Sequence, residues 1–144
     1  MFSTGKNDWS TPDSLFKRYD DIYHFILDAA ADSTNHKCKD WLGPGGLHED
    51  ALVVSWQPWL TNGNIFLNPP YQRPYQQRFV EKAANEAIEA QHGKVVCLLP
   101  SRTDTKLFHQ VIKKFSVELE FLPGRLKFGN SKNSAPFPSL ICIF

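Results

Sequence analysis

The stretch Ile65-Phe66-Leu67-Asn68-Pro69-Pro70-Tyr71 decides how the rest of the chain is read. Ile65 to Leu67 form a short apolar run of good β-formers, as expected of a parallel strand buried on both faces. The run cannot continue through Pro69 and Pro70, which have no N–H to donate to a ladder. Asn68 therefore stands at the strand's carboxyl end, the edge along which open α/β sheets bind ligands. Asn-Pro-Pro also marks ordinary turns, so the flanking segments must carry the argument.

On the C-terminal side, Gln72-Arg73-Pro74 breaks the chain. Phe79, Ala83, Ala87 and Ala90 then recur at helical spacing, which predicts a helix over residues 75 to 91 with Gly93 as its C′ stop. Lys94 to Pro100 reads as a central parallel strand. A right-handed crossover through the helix puts both strand ends on one edge of the sheet. Ser101-Arg102-Thr103-Asp104-Thr105 opens a further helix to about Phe115, with Leu107, Phe108, Val111, Ile112 and Phe115 on its buried face. A cation near a helix start is mildly unfavourable, so Arg102 is a candidate for function. Val117 to Leu122 and Ser139 to Phe144 read as an antiparallel pair, separated by a long loop of the kind that tends to be functional. In that loop Arg125, Lys127, Lys132 and Asn133 alternate with Phe128 and Phe137. This pattern suits a nucleic-acid strand, whose phosphates need charge and whose bases need faces to stack on.

On the N-terminal side, Thr11 is expected as an N-cap with Pro12 at the first helical position. Leu15, Phe16, Tyr19 and Ile22 or Tyr23 supply the helix's apolar face. His24 to Leu27 reads as a strand ending at Asp28-Ala29-Ala30. There a carboxylate can accept from hydroxyl or ammonium groups, and small residues let a nucleoside approach the backbone. No GxGxxG is present, which argues against a dinucleotide fold. Lys39 to Leu42 suggests a brief strand, and Ala51 to Trp56 fits a strand or a helical turn. Gly43-Pro44-Gly45-Gly46 marks a loop.

Composition sets the outer bounds. The chain of 144 residues, 42% hydrophobic and 22% charged, suits one domain with one core. It has no apolar run long enough to cross a bilayer, and its polar N-terminus shows no signal peptide. Three cysteines without close spacing argue for reduced thiols, and five histidines in no ligand pattern argue against a metal. Net charge of +1 hides an asymmetry: residues 1 to 70 carry five basic and nine acidic side chains, residues 101 to 144 seven and three. The basic final third is the part suited to phosphates.

Taken in order, DWSTP from Asp8, LDAAAD, FLNPPY, LLPSRTDT, GRLKFG and SAPFPS resemble the phage-type DNA N-6-adenine methyltransferase family over nearly the whole chain. That resemblance implies a single-domain, Rossmann-like α/β methyltransferase fold over residues 1 to 144. Its seven-stranded sheet would be mostly parallel, with the last strand pair antiparallel and helices on both faces. The implied cofactor is S-adenosyl-methionine and the implied partner is DNA with a flipped adenine. A cytoplasmic location, in a bacterial host of a phage or prophage, follows from the same resemblance. Asn68, Pro69, Pro70 and Tyr71 match the catalytic motif. Trp9, Thr11, Pro12, Asp28, Ala29, Ala30, Asp50, Leu52 and Asn68 fall at the cofactor, with Asp50 facing its adenine. Tyr71, Arg102, Arg125, Lys127, Lys132, Asn133 and Phe137 fall at the substrate, with residues 127 to 138 as a substrate loop. Two departures stand out: Ser55 occupies a position before Trp56 that is often acidic in the family, and residues 57 to 63 look like an insertion.

These residues permit a definite chemistry. The exocyclic amine of adenine is a poor nucleophile because its lone pair is delocalised into the ring. If the Asn68 side-chain oxygen and the Pro69 carbonyl accept its two hydrogens, the lone pair is localised and aimed. Tyr71 is placed to stack on a base turned out of the duplex. The alternatives are an RNA adenine or protein glutamine methyltransferase, and a non-catalytic DNA-binding module on the same scaffold.

Overall fold

Side-chain alternation along the central strands divides the core between two faces of one sheet. The structure, a computed structural model, describes residues 9–129 and 131–144; Asp8 and Asn130 lie outside them. In strand β2 (Asn64–Leu67), Ile65 and Leu67 face one side and Phe66 the other. In β3 (Val95–Pro100), Val95, Cys97 and Leu99 share the first face, and Val96 and Leu98 share the second. In β5 (Ser139–Ile143), Leu140 and Cys142 join the first face while Ile141 and Ile143 join the second. Two-sided burial explains why these strands read as continuous apolar runs. Each fully buried Leu, Ile or Phe contributes about 1.5–3 kcal/mol.

The sheet is completed by β1 (Phe25–Asp28) and β4 (Glu118–Phe121), in the order β1-β2-β3-β5-β4. β1, β2 and β3 are parallel, and β5 runs antiparallel to both β3 and β4. The sheet has five strands among the described residues, not the seven that the family resemblance implied. Residues 29 to 63 make only isolated parallel bridges beyond β1, Asp28 to Trp41 and Leu42 to His48. Hence Lys39 to Leu42 contributes two bridges, through Trp41 and Leu42, and Ala51 to Trp56 forms turns and bends.

The first face is covered by α2 (Gln57–Leu60), by α3 (Tyr75–Glu89) and by a π-helical segment, Phe108–Ile112, that runs into α4 (Lys113–Phe115). The wider π turn shifts the helical phase by a residue. Phe115 is consequently 41% exposed and not on the buried face expected for it. Residues 57 to 63, which looked like an insertion, bury Leu60 and pack Trp59 against the core. Gly93 is not a C′ residue, because α3 ends at Ala90 in extended backbone. A Cβ at Gly93 would run into the Leu60 and Gly63 carbonyls, so the close approach is what requires glycine there.

The second face is covered by α1 (Asp13–Tyr23) and by the loop between β4 and β5, which buries Leu122, Phe128, Ala135 and Phe137. Cys97 and Cys142 lie in register across β3 and β5 as buried free thiols, and Cys38 is likewise free and buried. Among the described residues, no helix is long and apolar enough to cross a membrane.

Candidate functional site

Parallel pairing brings the carboxyl ends of β1, β2 and β3 to one edge, so Asp28, Asn68 and Ser101 emerge side by side. The antiparallel β5 starts at that edge, with Ser101 N–H donating to the Pro138 carbonyl at 2.8 Å. The segment Trp9 to Pro12 crosses the same edge and is tied to the β4–β5 loop by Gly129 N–H donating to the Ser10 carbonyl at 2.8 Å. Gly129 has φ of 54°, in the left-handed region that favours glycine.

Asn68 occupies the centre of this edge. Its Nδ2 donates to the Trp9 carbonyl at 2.7 Å and to Thr11 Oγ1 at 3.0 Å. With both amide hydrogens engaged, the side chain cannot rotate without losing them. Its Oδ1 is buried and has no hydrogen-bond partner among the described residues. An unmade bond on a buried acceptor costs about 1–3 kcal/mol; among the described residues the other buried side-chain atom left without one is Ser139 Oγ, at the start of β5 on the same edge.

Thr11 therefore holds Asn68 instead of capping α1. The cap residue is Pro12, without a side-chain hydrogen bond, and Thr11 is buried. Its hydroxyl faces the sheet edge, where it accepts from the amide of Asn68.

Asp28 organises the loop after β1. It is 3% exposed, and its two oxygens accept from Ala30 N–H at 3.3 Å and Lys37 N–H at 3.0 Å. Burial pushes its carboxyl up to about 7, although those two backbone bonds pull the other way. Ala29 N–H donates to the Phe66 carbonyl at 2.9 Å, and so knits the end of β1 to β2 beside Asn68.

A cavity of about 340 Å³ opens next to Thr11, walled by residues 10–13, by Thr34, Asn35 and Lys37, and by Gly129. Across it Lys37 Nζ meets Asp13 Oδ1 at 2.6 Å. The Lys37 ammonium holds the Asp13 carboxyl below its ordinary range. Thr11 and Pro12 were expected at a ligand from the sequence, whereas Asp13, Asn35 and Lys37 were not. Lys37 comes from a loop with no regular element, and nothing local in its sequence announces the contact with Asp13.

Tyr71 sits in a cluster of rings. Its centroid lies 6.5 Å from Trp9 in a stacked arrangement, 6.2 Å from Phe128 and 5.7 Å from Phe137, both edge-on. Its hydroxyl donates to the Leu98 carbonyl at 3.1 Å, and burial raises its pKa well above the ordinary phenol value. Phe128 and Phe137 are 1% and 6% exposed, which corrects the expectation that they offer faces to nucleic-acid bases. They alternate with cations because the loop is a covering layer, with apolar side chains turned to the sheet and charged ones to solvent. Arg102 is exposed and lies 5.5 Å over the Phe137 ring. Arg125, Lys127, Lys132 and Asn133 are exposed on the same loop.

Pro69 is buried and Pro70 half-buried behind Asn68. Asp50 and Leu52 share an exposed turn in which Asp50 Oδ1 accepts from Leu52 N–H at 2.9 Å; neither walls the cavity beside Asn68. Among the described residues no group of three His, Cys, Asp or Glu could hold a metal ion.

Comparison with known proteins places this edge in context. Residues 2–139 match the family model described as DNA N-6-adenine-methyltransferase (Dam). Over 101 residues the chain is 32% identical to the DNA N-6-adenine-methyltransferase of Escherichia phage T1. The aligned stretch covers 69% of this chain and 38% of that relative, so the similarity spans well under half of the longer protein.

Proposed function

The chain belongs to the DNA N-6-adenine-methyltransferase family, and from that premise we propose that it moves a methyl group from S-adenosyl-methionine to the exocyclic amine of adenine in DNA. The observation that carries the reading is the unpartnered, buried Oδ1 of Asn68 at the carboxyl end of β2. An acceptor without a donor, on a side chain whose amide is clamped from behind, suits a substrate that brings its own N–H.

When bound, S-adenosyl-methionine supplies an electrophilic methyl group. The chain's residues do the remainder by position. Asn68 Oδ1 and the Pro69 carbonyl accept the two amine hydrogens and draw the nitrogen toward tetrahedral geometry. Both acceptors also favour the positive charge that develops on nitrogen as the methyl arrives, so they act more strongly in the transition state than in the ground state. Transfer would leave S-adenosyl-homocysteine and a methylated nitrogen whose extra proton passes to water, so no base is needed beforehand. Thr11 and the Trp9 carbonyl keep the acceptor aimed.

Tyr71 offers a ring for the flipped base on the side where Trp9 lies stacked against it. The cavity walled by Thr11, Pro12, Asn35 and Lys37, which adjoins Asn68 through Thr11, would take part of the donor. Arg102, Arg125, Lys127, Lys132 and Asn133, exposed at or near the same edge, supply contacts to phosphates, with residues 127–138 as the substrate loop.

The test is transfer of labelled methyl to unmethylated duplex DNA, followed by nucleoside analysis. Label in N6-methyladenine supports the reading; cofactor binding without transfer to adenine over varied sequences rejects it. Asn68→Ala is expected to abolish transfer while leaving cofactor affinity within a few-fold. Near-normal transfer by that variant would show that another group holds the amine.

A further inference from the structure

The geometry points to the cavity beside Thr11 as the seat of the donor's amino-acid end, with Lys37 holding its carboxylate and Asp13 its ammonium. This rests on the reading above that S-adenosyl-methionine is the donor. Lys37 Nζ and Asp13 Oδ1 meet at 2.6 Å, and the lysine side chain is 18% exposed against 92% for the aspartate. An α-amino acid carries the same two charges close together on one carbon. It can therefore exchange with the pair: Lys37 trades one carboxylate for another, and Asp13 gains an ammonium. The largely buried Lys37 is never left unpaired, which is the condition for an ionic contact to be favourable there.

Position and lining agree with this assignment. The amino-acid carbon and the sulfonium are three single bonds apart, roughly 4 Å at ordinary bond lengths. The amino-acid end must then lie next to the catalytic amide, and Thr11 is at once a wall of the cavity and an acceptor from Asn68 Nδ2 at 3.0 Å. The described wall carries no aromatic ring, so a purine would find no face to lie on. Lys37 is also held from behind, because its N–H donates to Asp28 Oδ2 at 3.0 Å. The buried carboxylate at the end of β1 thus aims the loop that delivers the ammonium. The site cation opposes the negative end of the donor, whereas beside the sulfonium it would be repelled.

Calorimetry with two ligands tests the assignment on the full chain. S-adenosyl-homocysteine carries the amino-acid end, and 5′-methylthioadenosine lacks it. Lys37→Met is expected to weaken S-adenosyl-homocysteine at least tenfold and to leave 5′-methylthioadenosine within twofold, which also reports an intact fold. Lys37→Arg is expected to restore most of the loss. Equal weakening of both ligands, or no weakening of either, would overturn the role of Lys37. A wild-type chain that binds neither ligand would instead remove the donor reading, and this assignment with it.

Discussion

Asn68 has two hydrogen-bonding ends with different fates, and the contrast separates support from chemistry. Its amide hydrogens are consumed by the Trp9 carbonyl and Thr11, while its oxygen is left buried and unpaired. Tyr71 divides in the same way. Its hydroxyl is spent on the Leu98 carbonyl, and its ring is the part that faces Trp9. Ring and hydroxyl can therefore be tested apart. Tyr71→Phe is expected to lose about 1 kcal/mol of stability with the buried hydrogen bond, and to keep methyl transfer within a few-fold. Tyr71→Ala is expected to lose about 1–3 kcal/mol of base stacking as well, read as weaker DNA binding in anisotropy and slower single-turnover transfer. Equal loss of transfer in the two variants would mean that the hydroxyl, not the ring, serves the base.

At the scale of elements, the strands were legible and the connections were not. Ile65 to Leu67, Val95 to Leu99 and Leu140 to Ile143 announce themselves because a strand buried on both faces has to be apolar throughout. Asn68 followed from those strands, since prolines must end one of them. The β4–β5 loop misled because a covering layer and a base-stacking surface share one pattern of alternating rings and cations. Only the burial of Phe128 and Phe137 tells them apart. Lys37 was missed because its partner Asp13 is distant in sequence and close only through the fold. Trp56, in the segment expected as a strand or a helical turn, is fully buried and helps join α3 to the turn before α2. Glu86 Oε1 accepts from Trp56 N–H at 2.9 Å and Gln57 Nε2 at 3.1 Å, and Oε2 accepts from Lys82 Nζ at 2.9 Å. Burial alone would push the Glu86 carboxyl up, but the bonds from Lys82, Trp56 and Gln57 outweigh it and hold the carboxyl below its ordinary value of 4.5. Glu86→Ala strands those donors and is expected to cost about 2–4 kcal/mol in denaturant unfolding at neutral pH. A depressed folded pKa contributes stability above the unfolded value, and that contribution is lost as pH falls through the folded one. The difference between wild type and variant should accordingly shrink in acid; a gap that holds constant down to pH 3 would show that packing, not charge, is responsible.

Across the whole chain, charge is divided unevenly along the sequence. Strands β1 and β4 form opposite edges, about 19 Å apart for four steps between strands. Residues 1 to 70 include β1 and β2 and hold nine acidic side chains against five basic; residues 101 to 144 include β4 and β5 and hold three against seven. On the proposed reading, a phosphate backbone is drawn toward the β5–β4 side, and the β1 side, with its cavity and its single walling cation Lys37 among the described residues, is left for the donor. Asn68, at the end of β2, lies between the two. Arg102, Arg125, Lys127 and Lys132 are exposed at or near that side, and each phosphate contact they made would release counterions. For duplex DNA, each cation that touches a phosphate steepens the fall of log affinity with log salt by about 0.9. The double variant Arg125→Ala with Lys127→Ala is expected to flatten that slope by up to about 1.8, while leaving S-adenosyl-homocysteine affinity unchanged. Lys37→Met is expected to do the reverse, weakening S-adenosyl-homocysteine and leaving the slope as it was. If the Arg125 and Lys127 changes leave the slope intact, DNA does not lie along this loop; if Lys37→Met alters it, the cation serves phosphate and the division of the edge between donor and DNA is wrong.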